Sequence, residues 1–246
     1  MPQIFTINKA NQAALTIDSP NAGSYNQRLT MTASGGTTGG TITFAVVSGS
    51  TGCAILTAGV DIGKLAITNG IGSCSIMATM AGNTNYNDVT SAAHVVAISK
   101  ASQTITFDQP ATPAVYNTTF NVSPSSNSDL DVSVAASGAC SISGGTVTMT
   151  SGTGVCTLTA SQAGDDNYLA ASNVVRTVAA AKKDQTITFD PLGDKTYGDA
   201  DFTVGATASS GLAVTFAAGL TDNCTISGST VHITGAGSCT GTASQA

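Results

Sequence analysis

The chain has 246 residues and a net charge of −6; 9% of its residues are charged, 5% are aromatic, and Trp and Glu are absent. Its eight basic residues adjoin only at Lys182 and Lys183, too few on one face to neutralise a phosphate backbone, so nucleic acid and anionic membrane surfaces are not expected partners. Thr, Ser, Ala, Val and Gly replace the usual helix formers, and 41% hydrophobic residues is too apolar for a disordered chain, so the composition predicts an ordered all-β protein.

Taken in chain order, "MPQIFTINKA" has neither the basic nor the long apolar region of a signal peptide. Export, if it occurs, is expected to depend on sequence outside these residues. No apolar run approaches the roughly 20 residues of a membrane span. "KANQAALTIDSP" (residues 9–20) opens a first unit that reaches "GSCSIMATMAGNTNY" (72–86). Within it, "GGTTGG" (35–40) lacks the following helix that a phosphate loop needs, so it reads as a flexible loop. The second unit alternates apolar and hydroxyl residues in "QTITFD", "TVTMT" and "CTLTA", the period of strands with one buried face. Turn signals such as "ISGG", "TSGTG" and "QAGDDNY" separate them. Strands are expected at 103–108, 118–123, 131–135, 140–143, 146–150, 156–162 and 169–179.

The units are repeats. "ASQTITFDQPATPAVYNTTFNV" (101–122) returns 82 residues later as "KDQTITFDPLGDKTYGDADFTV" (183–204), and "ASGACSISGGTVTMTSGTGVCTLTASQAG" (136–164) returns as "LTDNCTISGSTVHITGAGSCTGTASQA" (220–246). A period this long marks whole small domains rather than solenoid turns. About seven short strands in each fit an immunoglobulin-like sandwich. The expected organisation is a strand at 1–8 belonging to a preceding or neighbouring unit, then Ig-like domains at 9–99, 100–181 and 182–246, the last without its final strand.

"QTITFDPLGDKTYGD", "ATASSGLAVTF", "CTISGSTVHITGAGSCT" and "TASQAGDDNY" resemble the bacterial Ig-like repeats of the MBG ("mostly bacterial Ig") type, found in large surface adhesins and secreted proteins. The likeness covers units two and three closely. Unit one departs by the longer insert "AILTAGVDIGKLAI" between its cysteines. The resemblance implies tandem Ig-like domains in an elongated rod on a bacterial surface or outside the cell, mostly as spacers and only sometimes as binders.

There are six cysteines, two per unit: Cys53 and Cys74, Cys140 and Cys156, Cys224 and Cys239. None forms CxxC, which sets zinc-ribbon and thioredoxin readings aside. Each shares strand parity with core residues, so both thiols of a unit face inward. A disulfide staple in an oxidising compartment is the expectation, and buried free thiols in a cytosolic protein are the alternative.

His94 and His232 lie at unmatched places, and without Glu no nucleophile–base–acid set suggests itself, so no enzyme is expected. His232 alternates with Val231 and Ile233 and should face solvent. The recurring Tyr25, Tyr116 and Tyr197, like Tyr86 and Tyr168, suit packing better than a sugar platform. Asn117, Asn121 and Asn223 head sequons that a chain rich in Ser and Thr produces by chance. Calcium is the one cofactor to weigh. Asp194, Asp199 and Asp201 gather in one loop, but unit two has no matching carboxylates, so a solvated acidic loop is preferred and no metal is expected.

Two functions compete: a structural or adhesive rod or filament, and a glycan-binding or spacer module of a secreted enzyme. The joints "ISKASQ" and "AAAKKDQ" are short and lack Gly/Ser spacer character, which suggests limited flexing between neighbours. No unit carries an aromatic cluster that the others lack, and the structural reading is preferred. Residues 2–8 align through Lys9 with the strand before Lys100, so one end carries a spare strand and the other lacks one. Either the chain is a piece of a longer array, or copies join head to tail by strand donation through Ile4, Phe5 and Ile7. The expected partners are copies of the chain or further repeats, with a surface glycan or protein as a possible ligand.

Overall fold

The computed structural model describes residues 1–245 and is built of short strands, with no helix among them. The chain divides into two compact units, Met1–Ala180 and the residues from Ala181 onward. The first unit holds two β-sandwiches, each with its own core. One core is centred on Leu65, Ile67, Ile76 and Val96, the other on Val147, Met149, Leu158 and Val178. The second unit holds a third, thinner core around Val204, Cys224 and Val231.

The second sandwich shows the plan. One sheet orders Ala114–Val115, Val174–Ala181, Val155–Ser161 and Ser133–Gly138; the other orders Thr119–Asn121, Thr146–Met149 and Cys140–Ser143. Along Val155–Ser161, Cys156, Leu158 and Ala160 are fully buried while the residues between them are part-exposed, which is the alternation expected of a strand packed on one face. The first sandwich repeats this arrangement. Ala22–Ser24, His94–Ser99, Cys74–Met80 and Ile42–Val46 form one sheet, and Arg28–Leu29, Leu65–Ile67 and Cys53–Ile55 the other. The insert of the first unit is the connection between Cys53–Ile55 and Leu65–Ile67, carrying a part-buried Lys64–Asp61 ion pair at 2.7 Å. These are tandem immunoglobulin-like sandwiches.

Each sandwich has one disulfide tying its two sheets: Cys53–Cys74, Cys140–Cys156 and Cys224–Cys239, with Cα–Cα distances of 5.6, 5.2 and 5.6 Å. The cysteines lie where the sheets converge, since the usual 10 Å separation of stacked sheets exceeds the reach of the bond.

Three strand expectations need correction. Ala114–Val115 and Ser125–Ser126 are strands that the pattern did not mark, because two residues are too few to show a period. The last strand of the second sandwich begins at Val174 rather than at 169. Residues 169–171 instead tie the loop down, with Leu169 N–H bonding Ala101 O at 2.9 Å and Ala171 N–H bonding Gln162 O at 2.9 Å. The loop at 35–40, expected to be flexible, is tied to the body of the sandwich. Gln12 Oε1 accepts from Thr37 N at 3.0 Å and Thr38 N at 3.1 Å, and Gly36 (φ 72°) lies so close to Met80 that a Cβ would fall 2.3 Å from its sulfur.

Candidate functional site

One feature stands out from the repeat plan, a packed joint between the first two sandwiches. In the joint, strand His94–Ser99 runs through Lys100 into the second sandwich. There Ala101 pairs in parallel with Tyr168, as Ala10 pairs with Tyr86 in the first sandwich. The loop 165–168 is preformed by Asp165, whose Oδ1 accepts from Asn167 N and Tyr168 N, both at 2.8 Å. It then seats on the first sandwich. Gly70 N donates to Asn167 Oδ1 at 2.9 Å, and Tyr25 meets Tyr168 edge-on with centroids 5.3 Å apart. Lys100 Nζ reaches the Asp165 carbonyl.

Gly70 is required by this approach: a Cβ there would lie 2.5 Å from Asp166 O and 2.8 Å from Asn167 Cα. Both are backbone atoms and cannot rotate away. Gly70→Ala is therefore expected to unseat the joint while each sandwich keeps its own melting transition. NMR relaxation of a fragment spanning residues 1–180 would then show the two halves tumbling more independently. Unchanged tumbling would show that the seat does not hold them.

The third sandwich is described through Gln245. Strand Gly241–Ser244 pairs with Thr215–Ala218 on one side, and among the described residues no strand pairs with its other edge. In the first two sandwiches that edge is covered by His94–Ser99 and Val174–Ala181. At the disulfides, Cys74 is 1% exposed and Cys156 0%, whereas Cys239 is exposed. A groove of about 580 Å³ borders it, lined by Tyr197, Phe202, Val231, Ile233 and Cys239 among others. Gly241 stands where the other sandwiches bury Ile76 and Leu158, and its nearest neighbour across the core is Phe189.

The residues picked out for strand donation lie bare. Ile4, Phe5 and Ile7 are 97%, 80% and 83% exposed, on a segment with no strand assignment. The acidic loop does not assemble a metal site. Asp199 Oδ2 accepts from Thr196 N at 2.9 Å, Asp201 Oδ1 faces His232 Nδ1 at 2.6 Å with both side chains exposed, and Asp194 lines the groove. Among the described residues no three His, Cys, Asp or Glu side chains gather as metal ligands. Of the sequon residues, Asn117 occupies a turn at φ 61° and Asn121 Oδ1 accepts from Thr146 Oγ1 at 2.9 Å. His94 Nε2 is buried with no hydrogen-bond partner.

No family model matches the chain, and no curated protein does. Solved structures similar to parts of it include Drosophila N-cadherin EC1-4 (12% identity, 92% of this chain and 68% of that one, TM-score 0.27). Others are the fibronectin(III)-like modules of Clostridium thermocellum CbhA (14%, 68% and 94%, 0.27) and Sidekick-1 immunoglobulin domains 1-5 (11%, 96% and 57%, 0.27). The description of each sandwich stands on its own strand pairing.

Sequence reasoning passed over one recurring group, a polar clamp beneath the first strand of each sandwich. Gln103, 6% exposed, donates from Nε2 to Leu169 O at 2.7 Å and Gln162 Oε1 at 2.6 Å, and accepts from Ser126 Oγ at 2.8 Å and Ser128 Oγ at 2.5 Å. Gln12 binds Asn87 O at 2.8 Å in the same way, and Gln185 engages Gln245 and Ser210. The signal was present as a Gln at the matched place in "ANQ", "ASQ" and "KDQ". Gln103→Ala removes the shared acceptor of the buried Ser126 hydroxyl and the part-buried Ser128 hydroxyl and a donor to the Leu169 carbonyl, so it is expected to destabilise the second sandwich by ~1–3 kcal/mol. Chemical denaturation measures this, and a change below ~0.5 kcal/mol would show that water replaces the side chain without cost.

Proposed function

We propose that the chain is a structural or adhesive element of an extracellular array, of the bacterial MBG type, whose stapled sandwiches set the spacing between what they connect and whose copies join end to end. The observation that carries this is the joint at Gly70 and Asn167. A loop preformed by its own carboxylate, seated on a glycine that admits no side chain, fixes the relation of one sandwich to the next. A flexible tether would need nothing of the kind. The three intradomain disulfides support an oxidising, extracellular setting, and no helix of the described residues is long and apolar enough to cross a membrane.

Negative-stain electron microscopy of the purified chain, paired with a glycan array, tests this reading. The expected images are slender particles of about 35 Å per sandwich, from strands of about 3.3 Å per residue, without saturable glycan binding. Compact particles, or specific retention of one glycan, would contradict it.

A further inference from the structure

We infer that Asn69–Gly70 is a self-modification site, converting to aspartate or isoaspartate with loss of ammonia, and that the joint seated on Gly70 holds this reaction back. The inference goes beyond the spacing role proposed above and uses only the geometry of the joint. Asn69–Gly70 is the one Asn-Gly step in the 246 residues, and Asp-Gly does not occur. At such a step the asparagine side chain is most open to attack by the next backbone nitrogen, because glycine has no side chain to crowd the five-membered ring and its backbone turns freely. The pair is specific to the first sandwich. Cys53 pairs with Ile67, Cys140 with Met149 and Cys224 with Ile233. Two residues on from those partners, the second and third sandwiches hold Ser151–Gly152 and Gly235–Ala236 where the first holds Asn69–Gly70. Of the three, only the first has a side-chain amide that can cyclise.

Two hydrogen bonds flank the pair. Thr68 N donates to Gly52 O at 2.9 Å, and Gly70 N donates to Asn167 Oδ1 at 2.9 Å. The second one decides the chemistry, since Gly70 N is the nucleophile. A backbone amide attacks only after losing its proton, and that proton is the one given to Asn167. Attack also requires Gly70 N to swing toward the Asn69 side chain. Gly70 is buried, and the Asp166 and Asn167 backbone fills the space that even one methyl group on it would need. Ring closure is therefore suppressed while the joint is seated and proceeds from its locally opened state.

In the opened joint, hydroxide removes the Gly70 amide proton and becomes water. Gly70 N then bonds to Asn69 Cγ, the Cγ–Nδ2 bond breaks, and the amide nitrogen leaves as ammonia after taking a proton from water, which restores the hydroxide. Water next adds to one of the two ring carbonyls and opens the ring to aspartate or isoaspartate. The net change is amide plus water to acid plus ammonia, with nothing oxidised or reduced. Neither product seats as the asparagine did. Isoaspartate routes the backbone through the former side chain and adds a carbon ahead of Gly70, at a contact where a Cβ on Gly70 would already lie 2.5 Å from Asp166 O. Aspartate keeps the backbone but sets a new carboxylate against a loop that carries Asp165 and Asp166, and like charges at short range repel. Opening of the joint thus becomes permanent in the molecules that react.

The test ages the full chain at mildly alkaline pH, with peptide mapping for deamidated Asn69 and hydrogen exchange at the Gly70 N–H as the two readouts. Fresh wild-type protein is expected to protect the Gly70 N–H and to lose Asn69 more slowly than the same chain unfolded in denaturant. Asn167→Ala should deamidate roughly 3–10-fold faster, the effect of removing one hydrogen bond from the closed state. Asn167→Asp keeps an oxygen that accepts from Gly70 N and should stay near the wild-type rate. Isoaspartate-bearing molecules should have lost protection at Gly70. An Asn167→Ala rate equal to wild type, or Asn167→Asp as fast as Asn167→Ala, would overturn the inference, as would isoaspartate protein that still protects Gly70. In each of those cases a protected Gly70 N–H in the fresh chain leaves the spacing role standing, whereas an unprotected one removes both.

Discussion

Replacing Cys140 and Cys156 together by alanine is expected to destabilise the second sandwich by ~3 kcal/mol, the chain-entropy value for closing a loop of their separation, 16 residues. The sandwich has little with which to offset that loss. Its buried core holds one Phe, one Leu and one Met, the rest being Val, Ala and the two cysteines, so it has few large side chains for a domain of its size. Both sulfurs are also buried, so alanine leaves small voids that add to the loss. For a domain of under 100 residues, a change of this size lowers the melting temperature by roughly 12–25 °C. Calorimetry of the full chain should show one transition moving while the other two stay in place. A shift of a few degrees would mean that the hydrogen-bonded sheets and the Gln103 clamp dominate, with the staple secondary.

Leu158→Ala should cost a similar amount or more, ~2–5 kcal/mol. Leu158 is fully buried and sits on the middle strand of its sheet, paired with Ala136 on one side and Arg176 on the other. Its neighbours on that face are Cys156 and Ala160, held by the disulfide and by the small size of alanine, so the site cannot collapse readily. Gly241 stands at the matching place in the third sandwich, where the buried core consists of Val204, Cys224 and Val231. Denaturant unfolding that gave Leu158→Ala less than ~1 kcal/mol would imply that the second core relaxes around the gap.

Much of this architecture was legible in the residues. Strand Val155–Ser161 follows the alternation of "CTLTAS" residue for residue, because a half-buried strand imposes period two on its own sequence. The recurrence of two inward cysteines per unit likewise pointed to intradomain bonds. Other parts could not be read. Ala114–Val115 and Ser125–Ser126 exist because neighbouring strands pair with them, and no local pattern records a partner elsewhere. "NYLAASNVV" reads as a strand from its apolar residues, yet Leu169 and Ala171 are spent on fixing a loop. Gln103 was invisible because a buried amide looks like any surface polar residue until its partners are placed around it.

The most direct measurement is a non-reducing peptide map of the chain by mass spectrometry, followed by graded reduction in dilute solution. The account predicts three intradomain bonds, Cys53–Cys74, Cys140–Cys156 and Cys224–Cys239, with the last reduced first because Cys239 alone of the second partners is exposed. Cross-domain pairs, or free thiols in the folded protein, would contradict it.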